Sequence, residues 1–158
     1  MTAEKLHELL NYCPDTGIFT WIKRKGKLGK IAGSINQGYI RIGINKIYYR
    51  AHRLAWLYMT GKWPTKEIDH INGNKSDNRF CNLREADRNI NCQNLQKSRI
   101  DNKSSALLGA YPCKGTNRWR SQIFKDGKII HIGCFSTPEA AHIAYINVKR
   151  SLHPGCTI

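Results

Sequence analysis

The sequence predicts an α+β chain made of small antiparallel sheets and separate helices. Three observations carry this. Short alternating runs rich in β-formers recur along the 158 residues, each closed by Gly, Asn or Asp. Four segments instead space their apolar residues at the helical period. Hydrophobic residues make up 41% of the chain, with four Trp, seven Tyr and four Phe, a composition that builds packed cores rather than disorder.

The elements follow in chain order. TAEKLHELLNY places Leu6, Leu9 and Leu10 on one helical face, with Thr2 as the cap. GIFTWIKR alternates and reads as a strand. KRKGKLGK is a basic, glycine-punctuated loop. GYIRIGINKIYYRAH reads as a hairpin with Ile40, Ile42 and Ile44 on one face and a turn at Asn45-Lys46. AHRLAWLYMTGKWP is a helix stopped by Gly61 and Pro64. EIDHI is a short strand, NGNKSDNRFC a loop, NLRE a returning strand, and ADRNINCQNLQK a helix with Asp87 as its cap. KSRIDNKSSALLG is a polar linker. A strand follows at about residues 110–113, then a hairpin turning on Asp126-Gly127 and a helix with a Ser/Thr cap, Pro138 and Glu139 in its first turn. These readings divide the chain into residues 1–100, a linker at 101–108, and a second domain at 109–158.

Charge points to the partner. Lys and Arg number 26 against 11 Asp and Glu, a net of +15, which calls for a polyanion. Residues 61–102 hold six of the eleven carboxylates, whereas the segments on either side are strongly basic. Phosphate binding accounts for the basic flanks, and a divalent cation would account for the acidic middle. No apolar run approaches 18 residues and no signal-peptide pattern follows Met1, so no membrane role and a cytoplasmic location are expected. The cysteines at 13, 81, 92, 113, 134 and 156 form no C-x2-C or C-x4-C pair, which predicts scattered buried thiols rather than a zinc site.

Within the acidic middle, Asp69 offers a hard oxygen, and Asn91 a carboxamide oxygen one turn inside the following helix, with Asn94 at i+3 as the alternative. His70 is the proton acceptor. Strand alternation sends Asp69 and His70 to opposite sides, so a twist or bulge at the strand end is required. Asn72, Asn74 and Asn78 read as turn formers, and His52 as a packed helix residue.

The stretch from Glu67 to Asn94 resembles the ββα-metal (His-Me finger) motif of HNH endonucleases, of the phage homing type with Asn in the third place. The resemblance covers most of residues 15–100. It implies His70 as general base, Asn82 as the residue bracing the loop, Asp69 and Asn91 as ligands of Mg²⁺ or Mn²⁺, and double-stranded DNA as substrate in a host-cell cytoplasm. Residues 109–153 resemble an AP2-type DNA-binding domain, a three-stranded sheet with a packed helix. That resemblance implies base reading by Arg118, Arg120, Gln122 and His131. Lys114 and the loop residues Lys23, Arg24, Lys25, Lys27 and Lys30 complete the expected DNA contacts. The expected function is a metal-dependent endonuclease that nicks or cuts duplex DNA as a monomer or weak dimer. The alternative is a non-catalytic DNA-binding regulator that retains the motif.

Overall fold

The computed structural model describes residues 1–98 and 104–158, and they form two compact units, Met1–Asp87 and Arg88–Ile158. The observed class is mixed α and β, with small sheets and, among the described residues, four α-helices.

The first unit opens with α1 (Ala3–Leu9), whose Thr2 side chain accepts from the Lys5 N–H at 3.3 Å. The chain does not remain helical to Tyr12 as its leucine spacing predicts. Leu10 turns extended and starts β1 (Leu10–Cys13), antiparallel to β2 (Ile18–Trp21). Leu10 and Tyr12 bury themselves on a period of two beside Phe19 and Trp21, so tertiary pairing overrides local helical spacing. A second sheet has the order β3 (Ser34–Asn36), β4 (Tyr39–Ile44), β5 (Ile47–Arg50). Its β4–β5 turn lies at Asn45-Lys46, both with positive φ. Strand β3 carries no apolar alternation that would reveal it in the sequence.

Helix α2 (Ala51–Thr60) ends on Gly61 at φ 73°, whose N–H closes on the Leu57 carbonyl. Leu54 and Leu57 meet Leu6, Phe19 and Ile42 in the core, each burial contributing roughly 1.5–3 kcal/mol. Ile68 and Leu83 join the same core from β6 (Glu67–His70) and β7 (Leu83–Ala86), an antiparallel pair. The apolar residues of this hairpin thus anchor it while its polar residues remain available for chemistry.

In the second unit, α3 (Arg88–Gln93) is shorter than its sequence pattern predicts. The chain leaves it at Asn94, a buried residue whose Oδ1 accepts from Thr157 Oγ1 at 2.5 Å. Gly155 N–H donates to Gln93 Oε1, and Lys149 Nζ donates to the Leu95 carbonyl. These bonds group residues 88–95 with the C-terminal residues, which sets the division at Asp87/Arg88. Residues 101–103 of the expected linker lie outside the described residues.

Strands β8 (Ala110–Pro112), β9 (Trp119–Lys125) and β10 (Lys128–Phe135) make one antiparallel sheet with β9 central. Asp126 and Gly127, both at positive φ, turn the hairpin as expected. Helix α4 (Pro138–Leu152) starts on a Thr137 cap and buries Ala141. Gly109 has φ +73°, and a Cβ there would sit 2.0 Å from a Tyr145 ring carbon, so only glycine lets this helix side chain lie on the backbone.

Candidate active site

Asp69 and His70 are the last two residues of β6, and both are buried. Strand pairing places Asp69 opposite Arg84 and His70 opposite Leu83 with no break in register. The bulge that alternation seemed to require is therefore not there. A regular pleat instead gives the two side chains different partners.

Arg84 Nε and Nη2 both donate to Asp69 Oδ2, at 3.0 and 2.9 Å. A carboxylate only 7% exposed needs such a partner, because an uncompensated buried charge costs several kcal/mol. His70 Nε2 lies 3.2 Å from Asn78 Oδ1. An amide oxygen only accepts, so Nε2 carries the proton and Nδ1 holds the lone pair. Burial pulls the His70 pKa below the usual histidine range, against the opposing influence of Asn78, Asp69 and Asp77. The ring is thus neutral at neutral pH.

Asn78 is itself held from several sides. Its carbonyl accepts from Tyr12 OH at 2.7 Å, and its Nδ2 donates to the Ser76 carbonyl. Gly17, at φ +72°, lies so close that a Cβ would be 2.4 Å from the Asn78–Arg79 peptide. The β1–β2 turn is pressed against the residue that orients His70.

Asn82 bridges the loop between β6 and β7. Its Oδ1 accepts from the Asn72 N–H at 2.9 Å, and its Nδ2 donates to Asn72 Oδ1 and to the Asp77 carbonyl. Asn72 and Asn74 form side-chain turns with the N–H groups two residues on. Arg79 and then Asn72 hold the Asp77 carboxyl down at about 2. The loop is fixed by its own polar side chains.

Two rings wall His70. The His52 ring meets it edge-on at 5.0 Å between centroids, and Tyr39 lies at 6.0 Å. Burial, and then the charges of His70, Arg53 and Arg50, push the His52 pKa down to about 3. His52 is the packed helix residue that its place in AHRLAW suggests, whereas the contact of Asn78 with His70 and the roles of Arg84 and Tyr39 go beyond the sequence expectations. Arg84 had a legible signal, since pairing EIDH with NLRE sets it opposite Asp69.

The remaining candidates fall as follows. Asn91 is half-buried on α3 in the second unit, whereas Asn94 is committed to Thr157. Lys23, Arg24, Lys25, Lys27 and Lys30 lie on an exposed loop, where Arg24 stacks on Trp21 and donates to the Gly43 carbonyl. Within the second unit, Arg120 and Gln122 share the outer face of β9 with Phe124, opposite the buried Ser121 and Ile123. His131 pairs with Gln122, and an irregularity between His131 and Gly133 brings Cys134 opposite Arg120. Arg118 precedes the strand and donates to the Cys134 carbonyl, and Lys114 is exposed. The expectation of buried thiols is not met. Cys81, Cys92 and Cys134 are exposed and the other three are half-buried. Among the described residues, no cluster of three or more His, Cys, Asp or Glu side chains suits a metal, and no helix is long and apolar enough to cross a membrane.

Residues 49–93, from the end of β5 through α3, match the family model of the HNH endonucleases. No curated protein and no solved structure matched the chain.

Proposed function

We propose that this protein is a metal-dependent endonuclease that hydrolyses phosphodiester bonds of duplex DNA. The observation that carries the reading is the state of His70, a buried neutral imidazole oriented by Asn78 and adjacent in sequence to a buried carboxylate, inside the segment that matches the HNH endonucleases.

His70 Nδ1 takes a proton from water as its oxygen attacks phosphorus. The P–O ester bond breaks, and the leaving oxygen gains a proton from solvent. Asn82 keeps the loop in place, and Arg84 fixes the Asp69 carboxylate by bonding Oδ2. Asp69 and Asn91 supply oxygen donors only, a set suited to a hard cation such as Mg²⁺ or Mn²⁺. Such an ion, when bound, stabilises negative charge on the phosphate oxygens.

Binding is shared with the basic flanks. The loop at Lys23–Lys30 and the outer face of the C-terminal sheet, with Lys114, Arg118, Arg120, Gln122 and His131, contact the duplex, the sheet in the manner of an AP2-type domain. The resemblance to phage homing nucleases supports site-directed cutting in a host-cell cytoplasm. One site per chain supports nicking by a monomer or weak dimer.

Supercoiled plasmid incubated with the protein and Mg²⁺ tests the reading. Open-circular product that EDTA prevents is expected. Intact plasmid with Mg²⁺ and with Mn²⁺, under conditions where the protein binds DNA, would favour the regulator instead.

A further inference from the structure

Tyr39 does more than wall His70. The Arg50 guanidinium carbon lies 4.5 Å from the Tyr39 ring centroid, and Lys75 Nζ lies 5.0 Å from it. Two cations are therefore stacked on one aromatic ring, which itself stands 6.0 Å from the His70 ring. The three residues come from different places. Tyr39 opens β4, Arg50 ends β5, and Lys75 sits on the loop between β6 and β7.

Each cation is placed rather than loose. Arg50 Nη1 donates to the Asn36 carbonyl at 3.1 Å, which directs the side chain across the β3–β4 turn. The Lys75 stem runs past Gly38, where a Cβ would come within 3.5 Å of its Cδ. The Asn74 side chain holds the loop at Ser76 just beyond. Neither cation is ion-paired among the described residues. The acids of the same hairpin are already engaged, Asp69 by Arg84 and Asp77 by Arg79.

Like charges gathered on one ring repel each other, and cation–π attraction offsets only about 0.5–2 kcal/mol per cation. An anion between or beside them relieves the repulsion. A guanidinium fork and an ammonium point charge are the usual pair for phosphate oxygens.

We propose that Arg50 and Lys75, stacked on Tyr39 beside His70, form a subsite for a DNA backbone phosphate next to the bond that is cut, and that this grip positions the bond. The inference rests on the endonuclease reading. Tyr39 is the platform, pre-ordering both side chains so that less conformational freedom is lost on binding. Arg50 and Lys75 are binding and positioning residues, while the proton transfer remains with His70.

The test separates binding from cutting. Affinity for a labelled duplex is measured in EDTA over a range of salt, and single-turnover cleavage of the same duplex is measured with Mg²⁺ at saturating protein. Lys75 is exposed, so Lys75→Gln leaves the fold intact and carries the test. Lys75→Gln and Arg50→Gln should each reduce the log–log salt slope by about 0.9. Each should slow cleavage at saturation by about 10–100-fold through lost positioning. Arg50→Lys should recover the slope, since it restores the charge.

A wild-type salt slope in Lys75→Gln overturns the subsite. A reduced slope with unchanged saturated cleavage overturns the positioning role. If the wild type binds without cutting, the endonuclease reading fails alone, because the slopes in EDTA still decide whether the two cations hold a phosphate.

Discussion

The two units treat their polar residues in opposite ways. In the first, Asp69, His70, Asn78 and Asn82 are buried and each is held by a specific partner. In the second, Arg120, Gln122 and His131 stand on an accessible sheet face, backed by buried Ser121, Ile123 and Ala141. Burying a polar group is costly unless its bonds are made, so the first arrangement suits chemistry that needs fixed geometry and a defined protonation state. The exposed face costs little and can meet a polyanion without rearrangement. The proposed cutting and holding of DNA would thus place different demands on the chain, and substitutions in the two units should fail in different ways.

The largest separation is expected at the proposed metal donors. Asp69→Asn should lower cleavage by more than the ~10–100-fold typical of a lost outer-shell partner, while binding in EDTA persists. Asn91→Ala should also lose cleavage, with partial recovery at high Mg²⁺. Asn94→Ala should instead lower the unfolding temperature of the second unit, because it removes the Thr157 bond, and leave saturated cleavage near wild type. Cleavage assays with thermal unfolding of all three variants distinguish the two asparagines.

Gly17→Ala sharpens the comparison from a distance. The new Cβ meets the Asn78–Arg79 backbone and a positive φ together, a strain of about 1–3 kcal/mol or more. Denaturant unfolding should show that loss. Cleavage should fall beyond what the folded fraction explains, since Asn78 orients His70.

On the exposed face, Arg120→Gln should weaken binding by about 1–3 kcal/mol at a preferred sequence if the side chain reads a base edge. A uniform loss over all sequences marks a phosphate contact instead. Saturated cleavage should stay unchanged in either case. Competition binding with varied duplexes gives the answer.

The effect that concerns stability alone is a pH dependence. His52 is faced by His70, Tyr39, Arg50 and Arg53, and its pKa in the fold, about 3, lies below the unfolded value of 6.5. The folded ring stays neutral while the unfolded ring takes a proton. This contribution is complete above pH 6.5 and is lost as pH falls toward 3, at up to about 1.4 kcal/mol per pH unit. Urea unfolding of His52→Phe should show a shallower acid dependence than the wild type.

What the sequence revealed was local chemistry. The Thr2 cap, the Gly61 stop and the turns at Asn45-Lys46 and Asp126-Gly127 each depend on neighbouring residues alone. The strand pair around Asp69 and His70 was legible for the same reason. Strand β1 was not, because Leu6, Leu9 and Leu10 satisfy a helical pattern and only pairing with β2 selects the strand. His52 is packed as expected, but its contact with His70, and those of Asn78 and Tyr39, were not legible because these residues lie 8 to 31 positions away in the chain and are brought against His70 by folding. The exposure of the cysteines likewise depends on which face each element turns outward.

In the proposed mechanism His70, neutral and held by Asn78, takes the proton from water. Single-turnover cleavage by His70→Ala, with DNA affinity measured on the same preparation, tests it most directly. A rate lower by about 10²–10⁴-fold with affinity nearly unchanged is expected, since general-base catalysis is lost while the phosphate contacts remain. Wild-type cleavage in His70→Ala would contradict it.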